Sequence, residues 1–316
     1  MEQTLPEFVD VQQAAERIAN IVHRTPIYTS GLLNKLTGAS LYFKCENLQK
    51  VGAFKARGAA NAVLALTDEM AHAGVATHSS GNHGAALAMV ARCRGIAAHI
   101  VMPHSAPRVK REAVASYGAH IIDCEPTLAA REAALAEVVA DTGAHAVHPY
   151  DDFHVIAGQG TVALELLASM PDLDVIAVPV GGGGLLAGTA LAAKGLRPSI
   201  EVLAAEPAGA DDAFRSFGLG ERQAQTDPQT IADGLRASLG ERNFEIIRQR
   251  VDTILTVPDE RIVEAMRWQW SRLKTLVEPS GAVSFAALLE HPERFRGRRV
   301  GVVISGGNLD LDKLPW

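Results

Sequence analysis

Apolar and polar positions follow two rhythms along this chain. Short runs of aliphatic and β-branched residues recur at Ser40–Phe43, Val75–His78, Ala98–Met102, His120–Asp123, Ala146–His148, Val175–Val180, Glu201–Ala205 and Val300–Ile304. Runs this short, bounded by turn residues, read as strands. Between them apolar residues fall three and four apart, the spacing of one helix face. Such stretches are Ala56–Leu66, Gly84–Arg94, Pro107–Tyr117, Leu128–Asp141, Gly160–Ser169 and Pro258–Leu273. The chain opens with another: Asp10 and Gln13 read as a capping box, followed by Val11, Ala14, Ala15, Ile18 and Val22 at helical spacing. Strands alternating with helices predict an α/β fold with mostly parallel sheets.

Composition narrows the class. With 316 residues and 47% hydrophobic content, the chain has enough for two lobes rather than one small core. A net charge of −6 without any long basic run argues against nucleic-acid or anionic-membrane partners. The first seven residues are acidic and lack an apolar stretch, so no leader peptide is expected. The most apolar region, Val175 to Ala193, is interrupted by Gly181–Gly184, which argues against a membrane helix. Three widely spaced cysteines, Cys45, Cys93 and Cys124, suit a reducing cytosol and offer no zinc spacing.

The candidate chemistry begins at Lys55. It follows Phe54 where a turn meets an apolar helix. A lysine in apolar surroundings loses solvation, its pKa falls, and its amine becomes a nucleophile fit for a Schiff base. Ligands of open α/β sheets gather at the carboxyl ends of strands, and three glycine-bearing loops lie there. Thr77-His78-Ser79-Ser80-Gly81-Asn82-His83-Gly84 sets hydroxyls, an amide and imidazoles before a helix start, where free N–H groups favour a carboxylate. Ser79 or Ser80 could equally be a plain helix cap. Gly181-Gly182-Gly183-Gly184-Leu185 allows the backbone to wrap a phosphate at a helix start. Gly182, Gly184 and Ala187 also fit a dinucleotide pattern, with Glu206 at roughly the spacing of its ribose-binding acid. A nicotinamide-dependent dehydrogenase is therefore a competitor, although it leaves Lys55 and the first loop without a role. Ile304-Ser305-Gly306-Gly307-Asn308 is the third loop, with a hydroxyl at a strand end.

In this order the elements resemble the fold-type II (tryptophan synthase β-like) pyridoxal-phosphate enzymes, in the serine racemase, serine/threonine dehydratase and 3-hydroxyaspartate dehydratase group. The resemblance runs from Arg24-Thr25-Pro26 to Asn308 and includes His148-Pro149-Tyr150, Val155 to Thr161 and Thr230 to Gly234. It implies two lobes, each with a mostly parallel sheet flanked by helices. Residues 1–73 and 151–316 would form a large cofactor-binding lobe and 74–150 a small mobile one.

The resemblance also implies site roles. Lys55 would hold pyridoxal 5′-phosphate covalently, with Phe54 beside the ring and Asn82 at its 3′-oxygen. Gly181, Gly182, Gly183, Gly184 and Leu185 would cradle the phosphate, and Ser305 would meet the pyridine nitrogen. Ser79, Ser80, Asn82, His83 and Arg131 would bind the substrate, and Lys55 would remove its α-proton. A serine at the ring nitrogen favours β-elimination over transamination. The implied reaction is loss of water from serine, threonine or 3-hydroxyaspartate, giving a 2-oxo acid and ammonia. Ser80 could serve the face opposite Lys55, so serine racemase activity is expected beside elimination, and a primarily racemising enzyme is the alternative. Glu206, Ala210 and Asp212 resemble the group's divalent-cation site, which would take Mg²⁺, or Ca²⁺ or Mn²⁺; acidic residues at a helix start explain the same pattern without metal. One departure stands out. Ala237 occupies a position where racemase-like relatives usually carry a hydroxyl. A homodimer is the family expectation.

Overall fold

A computed structural model describes residues 4–79, 81–106 and 108–316. The apolar runs pair into two sheets. Six strands, β1 (Ile27–Tyr28), β2 (Ser40–Cys45), β7 (Val175–Pro179), β8 (Glu201–Pro207), β9 (Thr253–Val257) and β10 (Arg299–Ile304), form the first, in the order β1-β2-β10-β7-β8-β9. Only the β1–β2 pair in it is antiparallel. The second sheet is fully parallel and uses β3 (Val75–His78), β4 (Ala98–Pro103), β5 (His120–Cys124) and β6 (His145–Ala146), in the order β5-β4-β3-β6.

Burial explains the strand sequences. Every residue of β7 is buried, and β10 is buried from Val300 onward, because helices cover both faces. β10 sits between β2 and β7, with Val300 opposite Leu41 on one side and Val175 on the other. This brings chain segments from both ends of the sequence into one sheet.

Several boundaries differ from those the sequence pattern predicts. The opening helix spans Phe8–Ile18, its N-cap is Glu7, and Asp10 is the third helical residue, bonding back to the Glu7 N–H at 2.8 Å. Val22 lies beyond its end. The predicted strand at Ala146–His148 shifts to His145–Ala146, and β1 and β9 were not anticipated. The helix predicted from Gly160 starts at Phe153, where Asp152 Oδ1 accepts from the Val155 N–H at 2.9 Å. Its glycines are packing sites rather than breaks: a Cβ on Gly160 would lie 2.6 Å from the Gly188 carbonyl of the helix Gly184–Leu196.

One buried ionic cluster fixes the helix Lys55–Ala65. Arg57, fully buried, pairs with Glu46 at 2.7 Å and with Glu165 at 2.7 Å, and Lys44 meets Glu165 at 2.5 Å. Each buried charge has a partner, as burial requires. The cluster ties the start of that helix to the segment after β2 and to the helix Phe153–Ser169. It thereby sets where Lys55 points.

Candidate active site

The carboxyl ends of β3, β7 and β10 open onto a cavity of about 490 Å³. Lys55, Asn82, Gly182, Glu278 and Ser305 all line it. Residues far apart in sequence therefore share one site, at the strand ends where α/β sheets gather their ligands.

Lys55 Nζ donates to the Pro149 carbonyl at 2.7 Å and lies 5.1 Å from the centre of the Phe54 ring. Burial disfavours its charged form and lowers its pKa to about 8. Much more of the amine is then neutral near physiological pH than in a solvated lysine.

The tetraglycine loop is a built cradle. Gly183 has φ +93°, a conformation that favours glycine, and caps the helix Gly184–Leu196. A Cβ on Gly182 would lie 2.4 Å from the Tyr150 ring. Asn243 Nδ2 donates to the Gly182 carbonyl at 2.7 Å and to the Tyr150 carbonyl at 3.0 Å, which holds ring and loop together. The concave backbone and the helix N-terminus suit a phosphate. Leu185, the first residue after the glycines, is buried and also lines the cavity.

On the other side lies the loop after β3. Its following helix, Asn82–Arg94, is capped by Gly81 without a side-chain bond, and Ser79 Oγ accepts from the Gly81 N–H at 3.3 Å. Ser80 lies outside the described residues. Asn82 donates from Nδ2 to Glu278 Oε1 at 2.9 Å, and its Oδ1 accepts from Asn308 at 2.9 Å. His83 is buried, with the Val147 backbone as a polar neighbour. Burial, with Lys55 and His148 nearby, holds its pKa well below the usual histidine range, so it is a neutral imidazole with one donor and one acceptor to offer. Arg131 lines the cavity from the helix Leu128–Thr142, and its Nε donates to the Thr127 carbonyl at 3.3 Å. Ser305 is buried at the end of β10 and donates to the Ser280 carbonyl at 3.4 Å.

One cavity residue, Glu278, was not visible in the sequence, and His148, beside the cavity, was visible only as part of a motif. Glu278 is buried and lines the cavity; desolvation, then the charge of Asp233, pushes its pKa to about 8. It is therefore largely protonated at neutral pH. His148 accepts on Nδ1 from the Asp151 N–H at 2.9 Å, and burial beside His78 and Lys55 lowers its pKa to about 4. Glu278 precedes Pro279 in a stretch with no glycine-loop signature. His148 stands in the quoted His148-Pro149-Tyr150 motif, which was the one available signal.

Glu206 and Asp212 lie apart from these loops. Glu206 accepts from the Ala213 and Phe214 N–H groups at 3.0 and 2.8 Å, and Asp212 Oδ2 accepts from the Leu239 N–H at 2.7 Å. Asp212 Oδ1 is buried without a partner. Burial raises both carboxyls, Glu206 to about 9 and Asp212 to about 6; the charge of Asp212 adds to the rise at Glu206, and that of Asp211 to both. An orphaned oxygen beside a second buried carboxyl is a donor set that would suit a cation. Among the described residues, no cluster of three or more His, Cys, Asp or Glu side chains is placed to hold a metal. A cation here would thus rest on two carboxylates, a carbonyl such as that of Ala210, and water.

A family model described as pyridoxal-phosphate dependent enzyme matches residues 18–306. The chain belongs to that family. A β-hydroxyaspartate dehydratase of Paracoccus denitrificans is 50% identical over 312 residues, covering 99% of both chains. A serine racemase of Arabidopsis thaliana is 48% identical and covers 98% of this chain and 95% of its own. Among solved structures, maize serine racemase superposes with a TM-score of 0.96 at 46% identity, covering 98% of this chain and 95% of that one. The fold is accordingly fold-type II. The dinucleotide alternative falls away, and Glu206 turns to a helix start rather than toward the glycine loop. The family's cofactor fits the site: the glycine backbone at the start of the helix Gly184–Leu196 would suit its phosphate, and the lysine of lowered pKa lies in the same cavity.

Proposed function

We propose that this enzyme removes water from 3-hydroxyaspartate, giving a 2-oxo acid and ammonia, and that serine and threonine are poorer substrates. The observation that carries the reading is one cavity holding both Lys55, with its depressed pKa, and Arg131, whose guanidinium gives only Nε to a carbonyl among the described residues while Lys110 and Arg236 are tied to Asp233 and Thr230. The likeness to a β-hydroxyaspartate dehydratase supports it.

Lys55 is the base. Its free amine takes the α-proton and is neutral enough to do so near pH 8. When bound, pyridoxal phosphate supplies an electron sink for the pair left at Cα. The Cβ hydroxyl then departs as water with the proton that Lys55 holds, leaving a Cα–Cβ double bond, and the released enamine tautomerises to an imine that water hydrolyses to the 2-oxo acid and ammonia. Phe54 would pack beside the cofactor ring, and Asn82, held by Glu278 and Asn308, would contact its 3′-oxygen. Gly181 to Gly184 and Leu185 would hold the phosphate, and Ser305 would offer the ring nitrogen a neutral hydroxyl. Ser79, Asn82 and His83 take the α-carboxylate, and Arg131 takes the second carboxylate. The lobe of residues 74–150 closes over the substrate from the side that carries Ser79 and Arg131.

Serine racemisation is a second reading, supported by the serine racemases among the relatives. Ser80 would serve the face opposite Lys55. Ser80→Ala should then abolish racemisation of serine while leaving elimination; a variant that still racemises removes Ser80 from this role.

Glu206, Asp212 and the Ala210 carbonyl would hold Mg²⁺, Ca²⁺ or Mn²⁺, a structural ion on this reading. Saturating Mg²⁺ at about a hundredfold over its Kd should stabilise the fold by about 2.7 kcal/mol. A melting temperature indifferent to both Mg²⁺ and chelator would contradict the site. The free cysteines suit a reducing compartment, and we place the enzyme in the cytosol as a homodimer. No helix among the described residues is long and apolar enough to cross a membrane.

Arg131→Met tests the substrate reading. It should cut kcat/KM for 3-hydroxyaspartate about a hundredfold, the scale of lost charge-assisted hydrogen bonds, and leave serine within a few fold. Equal losses on both substrates would place Arg131 at the α-carboxylate instead.

A further inference from the structure

Gln225 lies in the loop between the helix Asp212–Leu219 and the turn Asp233–Leu235, and it lines the cavity together with Arg131, Pro228, Arg236 and Ala237. Its backbone N–H donates to Ser238 Oγ at 3.1 Å, which fastens this loop to the 236–238 segment. Its side-chain nitrogen Nε2 is buried and has no hydrogen-bond partner. A buried amide donor left unpaired is costly, so its presence in a ligand cavity calls for an acceptor.

The neighbouring side chains narrow what that acceptor is. Arg236 is committed to the Thr230 carbonyl, with Nε at 3.1 Å. Asp233 is paired with Lys110, and Ala237 carries no donor. Among the described residues Arg131 makes one hydrogen bond, through Nε to Thr127, which leaves the rest of its guanidinium free. Gln225 and Arg131 thus line one cavity from two different elements, and each keeps donor groups without a protein partner. Both are donors and one is charged, a set that suits a carboxylate.

We propose that Gln225 is a specificity residue, whose amide joins Arg131 in binding the distal carboxylate of a four-carbon dicarboxylic amino acid. The inference rests on the 3-hydroxyaspartate reading above and names a further residue that reads that substrate. Serine and threonine bring no second carboxylate, so they leave the donor unpaired, and a site built around a buried donor discriminates against ligands that lack the acceptor.

The test uses the holoenzyme, with succinate as the dicarboxylate probe and butyrate as its monocarboxylate counterpart, both titrated by calorimetry. Wild type should bind succinate more tightly than butyrate. Gln225→Met keeps the length and removes the donor; it should weaken succinate about tenfold or more and leave butyrate within twofold. Its kcat/KM for 3-hydroxyaspartate should fall by a similar factor through KM, with serine unaffected. Gln225→Glu, which adds a repelling charge without changing shape, should weaken succinate further and carries the test if the methionine variant does not fold. Unchanged succinate binding, an equal loss on both probes, or a wild type that prefers butyrate overturns the inference. Gln225-dependent succinate binding in an enzyme that releases no 2-oxo acid from 3-hydroxyaspartate would uphold Gln225 as a dicarboxylate reader and remove the substrate reading alone.

Discussion

At the residue scale, two titrations decide how the site works. The Lys55 amine has its pKa lowered to about 8, so its neutral form dominates above that pH rather than above the ordinary 10.5. Reconstitution of apoenzyme with pyridoxal phosphate should therefore speed up as pH rises toward 8 and level off beyond it, followed by cofactor absorbance. A rate still climbing steeply at pH 9.5 would mean a solvated lysine. Glu278 moves the other way, from 4.5 up to about 8. Between those pH values the folded state keeps a proton that the unfolded chain has released, so this group makes stability fall as pH rises across that window. Gln at 278 cannot titrate and still accepts from Asn82, so Glu278→Gln should flatten the fall in melting temperature between about pH 5 and 8 relative to wild type. Parallel profiles would contradict the buried, protonated carboxyl. Lys55 and Asn82 were legible in the sequence because each sits in a motif where a turn meets a helix. Glu278 was not, since its partner Asn82 lies 196 residues away and only the fold joins them.

Elements carry the site through close approaches, and these are where substitutions should act most. Gly182→Ala would drive a methyl into the Tyr150 ring, which a Cβ already approaches to 2.4 Å. Cofactor affinity should drop by about two orders of magnitude, as a change of about 2–3 kcal/mol implies, while the rest of the fold persists. Equilibrium dialysis of pyridoxal phosphate would show it. Arg57→Ala should act on stability instead. It strands the buried Glu46 carboxylate and should cost about 3–5 kcal/mol, read from chemical denaturation. The central strands were easy to read because burial on both faces leaves unbroken apolar runs. β9 was not: it lies at the sheet edge with only Ile254 and Val257 buried, so its pattern is mixed. The helix Pro279–Glu290 was missed for the opposite reason. It is buried nearly throughout and opens Pro-Ser-Gly, which reads as a loop when its packing partners are unknown.

For the whole molecule, two sheets bring the two halves of the reaction together. The parallel sheet of β3 to β6 supplies the loop carrying Ser79, Asn82 and His83. The sheet centred on β7 and β10 supplies the tetraglycine loop and Ser305. Lys110 and Asp233 pair between the two, at the edge of the cavity. Alternating strands and helices announced this class of fold, but they did not reveal which distant segments would meet, and the substrate is set by those meetings. The most direct test measures 2-oxo acid release from purified enzyme with pyridoxal phosphate and Mg²⁺, across the 3-hydroxyaspartate isomers, L- and D-serine and L-threonine. The predicted result is release from a 3-hydroxyaspartate isomer with a kcat/KM at least about tenfold above serine and threonine, the scale of one charge-assisted contact. Release from none of them by enzyme that has bound the cofactor, or a clear preference for serine, would contradict it.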